Sequence, residues 1–318
     1  MKPIAYPKKG TVEYNKITGE YSALFAKGLM DKTSRASHVV KLGLETRWLK
    51  WKHKNGCVRL LDKTVAELLV MDFDGLVDFY EKYDNIVKRK RFSKRQIGEL
   101  KEIFDYDKGY KSVISKFFIA HADELQIYTC HYCDMAYINV YTDTASGNAK
   151  THFDIDHFIP QSLCPPLALS LFNFVPSCPV CNERIKRYGL PNVSLNALRL
   201  LSPSSQGFAV DKNTRIKIGH KHAASGSTSD FVYFVANYPY KEYVSFFRLE
   251  DRYNFHKNEA LRLEGLKKKY SPSQIKIIAK CLRRREADVR EDIFNKRFIE
   301  SNHRCFAKFT KDILNQKK

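Results

Sequence analysis

Two Cys-x-x-Cys pairs decide how this chain can fold: Cys130-His131-Tyr132-Cys133 and Cys178-Pro179-Val180-Cys181. Each pair places two sulfurs on one tight turn, and two such turns supply the four thiolates that zinc binds in a tetrahedron. Two disulfides or four buried thiols would also satisfy this spacing. Because the sequence shows no apolar secretory leader, we expect reduced cysteines and a structural Zn²⁺ held by Cys130, Cys133, Cys178 and Cys181.

The segment between the two pairs is 44 residues long, much longer than in a compact zinc ribbon, and it carries acidic and imidazole groups. Residues 151–156 alternate in polarity, which predicts a short strand that delivers Asp156 and His157 at its end. A second apolar run, 172–175, is interrupted by Asn173. From Cys178 onward the spacing is helical and places Asn182 on the first turns. The predicted unit is strand, strand, helix.

Taken in this order, Asp156-His157, then Asn173, then Asn182 beside a Cys-x-x-Cys pair resemble the HNH nuclease motif, a ββα-metal site, in its His-Asn-Asn form. The run from Asp154 to Ser162 is similar to the HNH nuclease segment of Cas9 proteins. The resemblance covers residues 130–186 only. It implies a metal-dependent endonuclease, and it implies that Asn173 holds the histidine-bearing loop by hydrogen bonds.

The chemistry of phosphodiester hydrolysis asks for the same residue types. It needs a base that activates water and a divalent cation that neutralises charge on the phosphate. His157 is the expected base, since a neutral imidazole is a competent base near neutral pH. Asp156 and the side-chain oxygen of Asn182 are the expected ligands of Mg²⁺ or Mn²⁺, with Asp154 as a further candidate.

The charge of the chain favours a polyanionic partner. Lys and Arg outnumber Asp and Glu by 55 to 35, a formal net charge of +20, which is the electrostatic footprint of a nucleic-acid-binding protein. DNA is the expected partner and RNA stays open; acidic proteins and acidic membranes would also suit the charge, but neither explains a metal nuclease motif. The expected nucleic-acid contacts are Arg184, Lys186, Arg187, Arg283, Arg284 and Arg285.

The last three of these arginines belong to the most basic part of the chain. Residues 256–318 hold 18 Lys or Arg against 8 Asp or Glu. This density suits a clamp on the DNA backbone, and a merely solvated basic face is the alternative.

Local signals elsewhere predict further elements. Thr64–Glu67 and Ser271–Gln274 are capping boxes that begin helices, and Ser93 is an expected N-cap. Short strands are expected at 215–218, 231–235 and 243–249. Trp48 and Trp51 lie among cations, where they either stack on bases or form the core face of an amphipathic helix.

These elements predict an α+β, helix-rich protein with a central ββα-metal nuclease core and structural zinc. We expect a helical basic N-terminal region at 1–125, the nuclease core at 126–200, and short strands followed by a basic helical region at 201–318. No run approaches the about 20 apolar residues that span a bilayer. The expected location is therefore cytoplasmic, without membrane association.

The predicted function is hydrolysis of DNA phosphodiester bonds with a divalent metal, and analogy with small stand-alone HNH proteins suggests a restriction or anti-phage defence effector. Two alternatives stay open. One is a non-catalytic zinc-dependent nucleic-acid-binding module, against which the joint presence of Asp156, His157 and Asn182 argues. The other is a nuclease subunit controlled by a partner protein such as an ATPase.

Overall fold

A computed structural model describes residues 3–29, 32–33, 40–90, 92–145, 147, 149–204, 213–222, 228–294 and 305–316. Helices dominate these residues, and the strands within them pair into small two-stranded antiparallel sheets. The predicted α+β class is confirmed at this level. Within the same ranges, no helix combines the length and the apolar character that a bilayer crossing requires.

The N-terminal part is helical, with one minimal pair of strands. Its elements are α1 (Val12–Ala23), α2 (Ala26–Leu29), β1 (Lys32–Thr33), β2 (Val40–Lys41), α3 (Leu44–Lys54), α4 (Val65–Leu69), α5 (Phe73–Lys90), α6 (Lys94–Ile103), a π-helical turn (Tyr106–Tyr110) and α7 (Lys111–Ala120). The side chains of Thr64 and Ser93 accept hydrogen bonds from backbone N–H groups of α4 and α6. Both predicted N-caps are therefore confirmed.

The two tryptophans of α3 belong to the core. Trp48 is fully buried and Trp51 is 3% exposed, and their indole N–H groups donate to the backbone carbonyls of Lys63 and Gln96 at 3.0 and 3.2 Å. Buried rings whose polar atoms are already bonded cannot stack on bases. The amphipathic-helix interpretation is the correct one.

The central part contains a hairpin, a second two-stranded sheet and short helical turns. Its elements are β3 (Val140–Thr142), β4 (Ala149–Thr151), β5 (Asp154–His157), 3₁₀ turns (Pro165–Leu167 and Leu171–Asn173), β6 (Phe174–Ser177), a π-helical segment (Val180–Lys186) and α8 (Leu195–Leu200). In the β5–β6 sheet, Asp154 is opposite Ser177 and His157 is opposite Phe174. The order strand, strand, helix follows the prediction, but the bounds differ: the first strand begins at Asp154, and the second begins at Phe174 because a 3₁₀ turn precedes it.

The C-terminal part packs helices on one long hairpin. Its elements are β7 (Arg215–His222), β8 (Thr228–Val235), α9 (Tyr240–Phe246), α10 (Leu249–Asn254), α11 (Lys257–Lys269), α12 (Pro272–Cys281), α13 (Glu286–Phe294) and α14 (Ala307–Asn315). The strands expected at 215–218 and 231–235 are present, and the capping box at Ser271 begins α12. The strand expected at 243–249 is wrong. Tyr243, Val244 and Phe247 are buried together at helical spacing.

One hydrophobic cluster draws on all three predicted segments, from Ile4 to Ile313. Backbone hydrogen bonds join Ile4 to Pro203 at 2.8 Å and Ala5 to Leu125 at 3.1 Å, so the N-terminal residues lie between the end of the first region and the start of the third. The central sheet is therefore surrounded by helices from before and after it.

Candidate metal centre and active-site cleft

Four buried cysteine sulfurs meet just beyond the end of β6. The Sγ atoms of Cys130, Cys133, Cys178 and Cys181 lie within 4.8 Å of one another, and those of Cys133 and Cys178 are 4.0 Å apart. Zinc–sulfur bonds of about 2.3 Å in a tetrahedron place sulfurs about 3.8 Å apart. Spacing and donor set therefore fit a metal ion such as Zn²⁺, and because all eight cysteines are free thiols, the disulfide alternative does not hold.

The pKa values of the four thiols are shifted in different directions: hydrogen bonds with neighbouring thiols lower the pKa of Cys133 and Cys178, whereas burial and such hydrogen bonds raise the pKa of Cys130 and Cys181. Hydrogen bonds from the neighbouring thiols, Cys130 first, lower the pKa of Cys178 well below its usual value. Arg252 donates a hydrogen bond to the Sγ of Cys181 at 3.4 Å, and the backbone N–H of Cys178 donates to the Sγ of Cys130 at 3.3 Å. A thiolate is the ligand state of cysteine. Two of the four sulfurs are thus favoured as thiolates, and the other two are favoured as thiols.

Helices α9 and α10 hold the first cysteine pair from the C-terminal side. The buried hydroxyl of Tyr243 donates to the carbonyl of Tyr132 at 2.8 Å, and that of Tyr253 donates to the carbonyl of Cys133 at 2.7 Å. Both acceptors lie within or at the end of the Cys130–Cys133 turn. The cysteine cluster therefore joins the central sheet to the C-terminal helices.

A cleft of about 440 Å³ opens over β5, a volume within the about 300–1,000 Å³ range of ligand pockets. Five of the residues predicted from the sequence line it together: Asp154, Asp156, His157, Asn182 and Arg187. Tyr106 and Lys111, from the π-helical turn and the start of α7, line it as well.

His157 is a buried imidazole with one nitrogen occupied. Its Nε2 lies 2.8 Å from the carbonyl oxygen of Ala168, and its ring packs against Tyr106 with centroids 4.6 Å apart. Because a carbonyl only accepts, we assign the proton of the neutral ring to Nε2, which leaves the lone pair on Nδ1. Burial lowers the pKa of His157 below its ordinary value. The ring is therefore a neutral base at physiological pH.

Asp154 and Asn182 form a pair on the same side of the cleft. The Nδ2 of Asn182 donates to the Oδ2 of Asp154 at 3.2 Å, so the amide oxygen of Asn182 remains the atom suited to a metal. Both side chains are half-buried, and burial raises the pKa of Asp154. A carboxylate and an amide oxygen side by side are the hard ligands that Mg²⁺ and Mn²⁺ prefer.

Asp156, the expected metal ligand, has both carboxylate oxygens engaged by protein groups. The ammonium of Lys186 lies 3.3 Å from Oδ1 and 3.0 Å from Oδ2, and the hydroxyl of Tyr132 donates to Oδ2 at 2.6 Å. Lys186 also donates to the carbonyl oxygen of His157 at 2.7 Å. An ammonium and a hydroxyl thus occupy the positions that a cation would take on this carboxylate.

The predicted role of Lys186 as a nucleic-acid contact is wrong. Lys186 is 3% exposed, and burial lowers its pKa. A side chain enclosed in the protein and bonded to a carboxylate cannot neutralise a phosphate outside. The chemical reason for its burial is its ion pair with Asp156, 30 residues earlier in the chain.

Asn173 holds the loop that follows His157. It is fully buried, its Oδ1 accepts from the N–H of Ile159 at 2.8 Å, and its Nδ2 donates to the carbonyls of Ile159 and Leu167 at 3.0 and 3.1 Å. The amide therefore fixes both ends of residues 159–167. This is the contact that the resemblance implied for Asn173.

The other predicted nucleic-acid contacts are on the surface. Arg184 and Arg187 are exposed, and Arg187 reaches the cleft. In the C-terminal cluster, Arg284 pairs with Asp292, and Arg285 pairs with Asp288 at 2.9 Å. Arg283 is exposed. Two of the three cluster arginines are therefore matched by carboxylates of α13, which weakens the field that a DNA clamp would need.

Sequence reasoning missed Tyr132 and Tyr106. Tyr132 stands between Cys130 and Cys133, where nothing marks its hydroxyl as the partner of Asp156, and Tyr106 lies 51 positions before the His157 ring that it contacts. Only the folded chain brings these groups together.

Scans of this chain against protein-family models, curated proteins and solved structures found no match.

Proposed function

We propose that this chain is a metal-dependent endonuclease that hydrolyses phosphodiester bonds of DNA in the cleft over β5. One observation supports the proposal: a neutral buried imidazole, the Asp154–Asn182 oxygen pair and exposed cations all line that one cleft. A general base, a site for a hard divalent cation and a route for a polyanion are the parts that this hydrolysis needs.

In the proposed reaction, the Nδ1 of His157 accepts a proton from a water molecule whose oxygen bonds to phosphorus, while the bond from phosphorus to the leaving oxygen breaks. The Nε2–H bond to Ala168 keeps the ring oriented as its charge changes. Lys186, through the carbonyl of His157 and the carboxylate of Asp156, holds the end of β5 in place. A bound Mg²⁺ or Mn²⁺ would supply neutralisation of charge on the phosphate and on the leaving oxygen.

We assign the divalent metal to Asp154 and Asn182 and give Asp156 a positioning role. Asp156 already bonds Lys186 and Tyr132, whereas Asp154 is half-buried in the cleft beside the amide of Asn182. Asp154→Asn should therefore raise the Mg²⁺ concentration needed for half-maximal cleavage. Asp156→Asn should lower folding stability and leave that metal requirement near the wild-type value. The reverse pattern would refute the assignment.

The test of the nuclease proposal is cleavage of supercoiled plasmid with Mg²⁺ or Mn²⁺. His157→Gln keeps an N–H for Ala168 and removes the base, so cleavage should fall by about 100- to 10,000-fold. The matched control is His152→Gln, the same substitution at a histidine that is exposed and does not line the cleft. Zinc content and unfolding midpoint should match the wild type in both variants. Equal cleavage by wild type and His157→Gln would refute His157 as the base.

One observation favours a second candidate, a non-catalytic zinc-dependent nucleic-acid-binding module. The ammonium of Lys186 neutralises Asp156 inside the cleft, which removes one of the acidic oxygens available to a catalytic cation. This candidate predicts nucleic-acid binding without cleavage under any divalent metal. Cleavage by the purified wild-type chain would exclude it.

The proposal has two further parts: the chain acts in anti-phage defence, and a partner ATPase controls it. A host carrying the wild-type chain should give fewer phage plaques than a host carrying His157→Gln. Purified chain that cuts plasmid without an added protein would exclude obligatory control by a partner.

A further inference from the structure

An exposed tyrosine stands at the edge of the cleft. Tyr188 lines the same cleft as Asp154, His157 and Asn182, yet 74% of its surface is accessible. Scattered apolar residues on a surface are ordinary. Tyr188 differs from such scattered residues because it shares a cleft with His157 and the Asp154–Asn182 pair, so its ring faces any ligand that enters that cleft.

The turn that carries Tyr188 is anchored on both sides. Lys186, two residues before it, is buried in the ion pair with Asp156. The N–H of Gly189 donates to the carbonyl of Lys186 at 2.9 Å, and a Cβ on Gly189 would lie 3.2 Å from the ring of Phe246. The ring of Tyr188 is therefore presented from a fixed backbone, which lowers the entropy cost of binding.

Two cations share the cleft with this ring, and so do carboxylates, among them Asp107 and Glu183. Arg187 precedes Tyr188 with φ of 50°, a backbone conformation that L residues rarely adopt, and lines the cleft. Lys111 lies on another wall, and Arg184 is exposed one turn earlier. An aromatic face among cations is the combination that binds a single nucleic-acid strand, with bases on the ring and phosphates on the cations.

We propose that Tyr188 is a stacking platform for an unpaired nucleobase beside the cleaved phosphate, so that the preferred substrate is single-stranded or locally unpaired. This inference rests on the proposed nuclease function. A base inside a duplex is stacked on its neighbours and cannot offer its face to a side chain without being extruded.

The test is binding of labelled single-stranded DNA and of fully paired duplex of the same sequence, both in a His157→Gln background. Tyr188→Ala should weaken single-strand binding by about 10- to 100-fold, and Tyr188→Phe, which keeps the ring, should retain it. Duplex binding should change little in either variant. The control is Phe255→Ala, because Phe255 is 86% exposed and does not line the cleft.

Single-strand binding by Tyr188→Ala at wild-type strength would overturn the inference. Equal losses of affinity for the single strand and for the duplex would also overturn it. They would indicate instead that the Tyr188 ring inserts between the base pairs of duplex DNA. The two proposals fail separately. If the wild-type protein cuts DNA and Tyr188→Ala binds single strands as tightly as the wild type, only the stacking platform is refuted. If the wild-type protein binds single strands through Tyr188 but cuts no DNA, only the nuclease function is refuted.

Discussion

Lys186→Met should destabilise the protein strongly, because it removes the ammonium from a buried ion pair. The side chains of Lys186 and Asp156 are 2% and 7% exposed. After the substitution, the carboxylate of Asp156 keeps only the hydroxyl of Tyr132 as a polar side-chain partner among the contacts described. Breaking one side of a buried pair costs about 3–5 kcal/mol, since a charge is left in a poorly solvated place.

The expected loss of stability in Lys186→Met can be compared with the loss from breaking a surface ion pair of the same type. Lys88 and Asp84 lie 2.5 Å apart, closer than Lys186 and Asp156, but their side chains are 72% and 34% exposed. Water screens such a pair, so Lys88→Met should cost at most about 1 kcal/mol. Both variants lose one positive charge and gain the same side chain. The difference between their unfolding free energies therefore measures the effect of burying the ion pair.

The assay is urea unfolding of the zinc-loaded protein, checked by thermal unfolding. An unfolding entropy of about 2.1 cal/mol/K per residue over 318 residues makes 1 kcal/mol equal to about 1.5 °C. Lys186→Met should therefore lower the midpoint by about 4–8 °C and Lys88→Met by less than about 2 °C. Adding Asp156→Asn to Lys186→Met removes the unpaired charge and should restore about 1–3 kcal/mol. Equal midpoints for the two lysine variants would refute the buried ion pair.

Three other variants test the centre and the loop. Metal analysis should find about one zinc per chain, and Cys178→Ser should lower both zinc content and unfolding free energy; full zinc retention would contradict the four-thiolate site. Asn173→Ala strands the buried N–H and C=O of Ile159 and should cost about 2–5 kcal/mol in urea unfolding; a loss below about 1 kcal/mol would contradict these bonds. Burial holds the folded-state pKa of His157 below the unfolded value of about 6.5. The unfolded state therefore binds more protons, and stability should fall as pH drops from about 6.5 toward that lowered pKa. His157→Gln should remove this part of the pH dependence, and an unchanged slope would assign it to other groups.

The features that local sequence predicted correctly are those set by neighbouring residues. The helix starts at Thr64, Ser93 and Ser271 follow from a side-chain oxygen that reaches backbone N–H groups three residues away. The strand ending at His157 follows from alternating polarity. Each cysteine pair was predictable because one turn brings its two sulfurs together, whereas the meeting of the two pairs depends on the fold.

The features that were missed depend on residues far apart in the chain. Residues 243–249 have the β-branched and aromatic composition of a strand, but their burial against the cysteine turn requires one helical face. Lys186 follows Arg184 in a basic run that suggests a solvated surface, and its pairing with Asp156 exists only once the π-helical segment packs on β5.

Sequence alone indicated the two cysteine pairs, the strand–strand–helix order and the polar residues Asp154, Asp156, His157 and Asn182 as candidates for one site. The tertiary structure decided which of them share a cleft, because side-chain distances between Asp154 and Asn182, or between Asp156 and Lys186, depend on the packing of a whole sheet and helix. It also decided which charges face water. Burial depends on every surrounding element, whereas the identity of a residue sets only the cost of burying it.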